Sequence, residues 1–138
     1  MRLASSGALA LALVLCTAPA AGASAPVGAT GSCPKQAEGA LPLSANATDK
    51  AGQAALAAAP RLYMGLDVQG ARIVWSKIAN AAGPRGSEVA HQCGKKMQGR
   101  TVVVELRFPK ELPSASLSEG ILFVARFKRG YHVWEVAH

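Results

Sequence analysis

The sequence predicts an α+β domain, with one N-terminal helix packed on a curled antiparallel sheet of about four or five strands. Three observations predict it. Residues 51–59 are strong helix formers, mostly alanine, with Leu56 as the large anchor. Residues 101–108 alternate, placing Val102, Val104, Leu106 and Phe108 on one face and Thr101, Val103, Glu105 and Arg107 on the other. Two further β-rich stretches, 121–127 and 131–137, flank a turn containing Arg129 and Gly130.

The chain has 138 residues, 50% hydrophobic, 17% charged and 5% aromatic, with a formal charge of +7. That composition argues against wholesale disorder, a collagen-like repeat, an acidic tail and a multi-span membrane protein. It fits one modest domain with a small aliphatic core.

Residues 1–23 read as a secretory signal peptide: Arg2 gives a positive start, residues 8–15 are an unbroken apolar run, and small residues follow. Cleavage is expected after Ala23. The apolar run is shorter than the roughly 20 residues that span a bilayer. Leu15 before Cys16 departs from the small residue that precedes a lipidated cysteine. The expected product is secreted, either released or held non-covalently at the cell envelope.

Residues 24–47 read as a flexible leader tied down by Cys33, and residues 48–138 as a single domain. Removing the signal leaves two cysteines, Cys33 and Cys93, which in an oxidising compartment pair most simply as a disulfide. Two other readings stay open here: a metal site using His91 and Cys93, or a Cys93 nucleophile paired with His91. Asn46-Ala47-Thr48 matches the glycosylation triplet, a short and common pattern.

Within the domain, Thr48 or Asp49 is expected to cap the helix, Pro60 to disrupt or kink it, and residues 61–64 to add a last turn. Residues 71–79, with Ile73, Val74, Trp75 and Ile78, predict a strand. Residues 83–86 read as a turn, 87–93 as a short strand and 94–99 as a basic loop. After the strand at 101–108, Pro109 and Pro113 bound a serine-rich loop. In the C-terminal hairpin, a tight turn would pair Phe127 with His132, Ala125 with Trp134 and Phe123 with Val136. Those six share a core face, with Val124, Arg126, Lys128, Tyr131, Val133 and Glu135 on a solvent side.

The order of helix then strands resembles cystatin-like or nuclear-transport-factor-like rolls, without the defining motifs of either family. Residues 113–118 (PSASLS), 123–127 (FVARF) and 130–136 (GYHVWEV) also resemble segments of small secreted proteins of high-GC bacteria. That likeness covers mainly the last third of the chain. It implies an exported roll-like domain and transfers no catalytic residue.

No phosphate-binding loop, dinucleotide glycine pattern, zinc-protease motif or serine-hydrolase elbow occurs. Ser114, Ser116 and Ser118 could meet His91, His132 or His138 in space, but nothing in the spacing orients a base toward a serine. Glu88, Glu105, Glu111, Glu119 and Glu135 show no pairing that separates their acidities. No catalytic residue, metal ligand or cofactor is therefore expected. Trp75, Trp134 and His132 read as packing residues before they read as a binding shelf.

Charge is the remaining signal. Residues 24–67 balance Lys35, Lys50 and Arg61 against Glu38, Asp49 and Asp67, whereas residues 68–138 hold eleven basic and five acidic residues. Lys95, Lys96 and Arg100 cluster in one segment; Arg126, Lys128 and Arg129 cluster at the hairpin. These six are the candidate anion-binding residues. The expected partner is an anionic cell-envelope polymer, lipid head groups or an extracellular protein, with nucleic acid not expected. The sequence thus points to an exported, non-catalytic surface or partner-binding module. Two alternatives are a protease-inhibitor-like domain presenting the 109–120 loop and a small roll-fold enzyme.

Overall fold

Val102, Val103 and Val104 are consecutive in a strand, so their side chains point alternately to both faces of the sheet, yet all three are fully buried. Such a strand needs cover on both sides. The computed structural model describes Cys33, residues 35–112 and residues 118–137, and it supplies that cover. The expectations for the signal segment, Cys16, the leader up to residue 32, Ser114, Ser116 and His138 lie outside the described residues.

The architecture is α+β. Strands β1 (Arg72–Ile78), β2 (Thr101–Arg107), β3 (Glu119–Phe127) and β4 (Gly130–Ala137) form an open antiparallel sheet in that order. Helices α1 (Lys35–Glu38), α2 (Ala47–Leu62) and α3 (Gly83–Gln98) lie against it, with a 3-10 turn at Ala79–Ala81. On one face, Ala47, Ala51, Ala55 and Ala59 of α2 meet Val102, Val104, Leu106, Leu122 and Val124. Alanine's small side chain lets α2 approach the sheet closely. On the other face, Val89 and Met97 of α3 and Ala37 of α1 meet Val103, Ile121, Phe123 and Trp134. Each large side chain so buried is worth about 1.5–3 kcal/mol against exposure.

Several local expectations need correction. The helix α2 begins at Ala47, after Asn46 in the left-handed region (φ 59°), and no side chain caps it, so Thr48 and Asp49 lie inside its first turn. Pro60 is carried within the last turn, and the Tyr63 amide closes the helix on the Ala59 carbonyl. Residues 87–93 are not a strand and 94–98 are not a loop: both belong to α3, with Gly99 following as its C-cap. Pro84 sits in the first turn of α3, where a missing N–H costs nothing. Gly86 lies where a Cβ would overlap the Ala79 carbonyl, so only glycine lets α3 cross the 3-10 turn. Gly94 (φ 79°, ψ 164°) interrupts the helix and sets off a final turn, residues 95–98.

The hairpin holds its expected core face for Phe123, Ala125, Phe127 and Trp134, but not its expected register. Phe127 pairs with Gly130 and Ala125 with His132. A bulge at Trp134 then places Glu135 opposite Phe123 and Val136 opposite Leu122. Val136 therefore packs on the α2 side, with Tyr131 and Val133. The face read as solvated is covered by α2, which leaves Val124 fully buried. A second bulge interrupts β1 between Ile73 and Trp75. Both fall on the outer strands of the sheet.

Candidate anion-binding site

Antiparallel pairing decides which charges share an end of the sheet. Ile78 pairs with Val102, Thr101 with Ala125 and Phe127 with Gly130. The start of β2 and the β3–β4 turn therefore lie at one end, together with the last turn of α3 that leads into β2. All six sequence-selected cations belong to this end: Lys95, Lys96 and Arg100 on the α3–β2 side, Arg126, Lys128 and Arg129 on the hairpin side.

The segment joining α1 to α2 crosses this end as a strap. One residue beyond the Thr101–Ala125 pair, Arg126 bridges instead to Leu41, whose amide donates to the Arg126 carbonyl at 2.7 Å. Arg100 Nη1 donates to the Ala40 carbonyl at 2.6 Å, and Arg126 Nη1 to the Pro42 carbonyl at 3.3 Å. Both guanidinium groups therefore hold the same short stretch of the strap, Ala40 to Pro42. Their forks are also part of the fold. The expectation that Arg126 is fully solvated is corrected: it is half-buried and holds the strap.

Ala37 and Ala40 are buried, so the stretch read as leader is packed onto the domain from α1 onward. Cys33 and Cys93 lie at disulfide distance, with Cα atoms 4.8 Å apart, and tie the start of this segment to α3. That pairing displaces the thiol-nucleophile and metal readings of Cys93. Among the described residues no three of His, Cys, Asp and Glu group as a metal site.

Two concave regions flank the turn Gly39–Ala40. The first, of about 260 Å³, is lined by Cys33, Cys93, Glu38, Ala40, Lys96 and Arg100, among others. The second, of about 350 Å³, is lined by Gly39, Phe127, Lys128, Arg129 and His132, and among the described residues no carboxylate borders it. The Phe127 and His132 rings stand 6.1 Å apart along its wall. Lys95 is exposed on the same turn as Lys96 but lines neither cleft. Lys95 and Lys96 sit in the last turn of α3, where the helix dipole favours cations.

The two ends of the sheet differ in how their charges are spent. At the far end Arg107 meets Glu119 at 2.6 Å and Lys110 meets Asp67 at 2.9 Å, while Arg72, opposite Arg107, is exposed and among the described residues has no ion pair. The Lys110 contact and the Gln69 amide hold the Asp67 carboxyl below the usual range. At the basic end, among the described residues, none of the six cations is ion-paired with a carboxylate. Four of them, Lys95, Lys96, Lys128 and Arg129, are exposed. Elsewhere, burial and the charge of Glu88 raise the Glu135 carboxyl.

Sequence counting found the cations but missed Gly39, Phe127 and the strap that joins the two clusters. The only available signal was the small-residue pair Gly39-Ala40 just after Cys33, which permits close passage over the sheet end. Against known proteins, the chain matches no protein-family model, no curated protein and no solved structure.

Proposed function

We propose that this chain is an exported, non-catalytic module that engages an anionic partner at the cell envelope through the basic end of its sheet. One observation carries the reading: six cations gathered at one end with no carboxylate partner among the described residues, four of them (Lys95, Lys96, Lys128 and Arg129) exposed. Six cations drawn to one end of the sheet favour a recognition role over general solubility. The signal-like N-terminus and the Cys33–Cys93 pair fit an oxidising destination. The helix α2 against a meandering sheet is compatible with a cystatin-like roll, and we keep that as part of the proposal.

The test uses chain expressed with its own N-terminus and collected after export, its mass reporting loss of about 20–25 residues. Retention on an anionic matrix is then measured across a salt series. The native protein should be retained at low salt and released progressively. Exchange of Lys95, Lys96, Lys128 and Arg129 for Gln should abolish retention without changing the circular dichroism, because all four are exposed. Unchanged retention after that exchange would overturn the proposal.

A second reading has its own observation. Leu112 is 72% exposed in the loop after β2, and Met64 is 77% exposed. The Glu111 carboxylate accepts from the Asp67 amide, which draws this loop toward the segment after α2. Exposed Leu112, next to the held Glu111, suits a protease-inhibitor-like contact. Protease inhibition lost on Leu112→Ser would favour this reading over the first.

A further inference from the structure

Resting on the reading above, we infer that the partner is a flexible linear polyanion, of the phosphodiester or polyphosphate kind, whose successive anionic groups enter the two clefts beside Gly39–Ala40. The shape of the basic end selects this class. Arg100 is half-buried and recessed beside the disulfide, and the second cleft is bounded by Phe127 and His132 behind Lys128 and Arg129. A planar bilayer can meet the exposed Lys95, Lys96, Lys128 and Arg129 but does not reach the recessed Arg100. A chain with rotatable links can lower one anionic group toward Lys96 and Arg100 and carry another to Lys128 and Arg129. The small side chains of Gly39 and Ala40 form the low ridge it must cross. Glu38 on the first cleft opposes an anion there, so binding rests on both clefts acting together rather than on either alone.

Two linked contacts bind far more tightly than one, because the second becomes intramolecular at millimolar effective concentration. Long-chain polyphosphate should therefore bind, per phosphate group, at least about tenfold tighter than tripolyphosphate or inorganic phosphate. Lys96→Gln in the first cleft and Arg129→Gln in the second should each remove most of that length advantage. Lys95→Gln, on the same helical turn as Lys96 but outside both clefts, should retain it. Glu38→Gln should tighten binding of the long chain.

The experiment is calorimetric titration of the exported protein and these four variants with the three phosphates at low salt. Co-sedimentation with phosphatidylglycerol vesicles runs in parallel, and circular dichroism verifies each fold. A length advantage lost in Lys96→Gln and Arg129→Gln but kept in Lys95→Gln supports the inference. Binding without length preference, equal effects of Lys95→Gln and Lys96→Gln, or stronger binding to vesicles would overturn it and leave the anionic-partner reading standing. No binding to any phosphate or vesicle at low salt would overturn both.

Discussion

Replacing both Cys33 and Cys93 by Ser removes a covalent link between residues 60 positions apart. On the chain-entropy account, closing a loop of that length costs the unfolded chain about 14 cal/mol/K, or about 4 kcal/mol at 25 °C. The folded side should change little. The strap keeps its contacts through Arg100 on Ala40, Arg126 on Pro42 and the Leu41–Arg126 bridge, and Ala37 and Ala40 stay buried. The loss therefore acts mainly on the unfolded ensemble. Urea unfolding followed by circular dichroism measures it: with a slope of about 2 kcal/mol/M, the midpoint should fall by about 2 M. The native protein in reductant should fall by the same amount. Equal midpoints for the oxidised protein and the double variant would refute the reasoning, as would two freely alkylated thiols in native exported material.

Trp134 is 6% exposed and stacks at 5.8 Å from Phe123, so Trp134→Ala should cost about 3–5 kcal/mol in urea unfolding. A neutral result would place that ring outside the core. Glu135 has a folded pKa raised above its ordinary value, by burial first and the Glu88 charge second. Its contribution is therefore fully present below the unfolded value and lost as pH rises through the folded one. Glu135→Gln should stabilise the protein at pH 7 and be neutral near pH 3; thermal melts at both values decide this, and a destabilised variant at pH 7 would reverse the sign.

The fold was legible where one residue pattern met one environment. Residues 101–107 alternate in the sequence and alternate in the sheet, and Phe123, Ala125 and Phe127 keep their assigned face. The failures have local causes. Gly83, Gly86 and Gly94 weaken a helical reading of residues 83–98, and Pro84 suggests a turn. Yet the buried stripe of Gly86, Val89 and Met97 follows the helical period of three to four residues. Val136 changed sides because the bulge at Trp134 adds one residue to β4, and no turn-counting rule contains a bulge. Val124 and Val133 looked solvent-facing because the register of the hairpin says nothing about where α2 will lie. The basic end was legible as a list of six cations. Their division into strap-holding Arg100 and Arg126 and the outward Lys95, Lys96, Lys128 and Arg129 depends on residues 39–42, which carry no charge.

The paired bulges have a bearing on how copies of this chain behave together. An open sheet ends in two strands whose outward N–H and C=O groups invite a further strand, the route by which β proteins stick edge to edge. Here β1 is broken at Val74 and β4 at Trp134, so neither rim offers a long regular run of backbone partners. Exposed Arg72 and Lys77 on β1 add like-charge repulsion between copies meeting rim to rim. Binding along the proposed polyanion would bring such rims close together, and they would meet as short, irregular, positively charged edges rather than as regular strand templates.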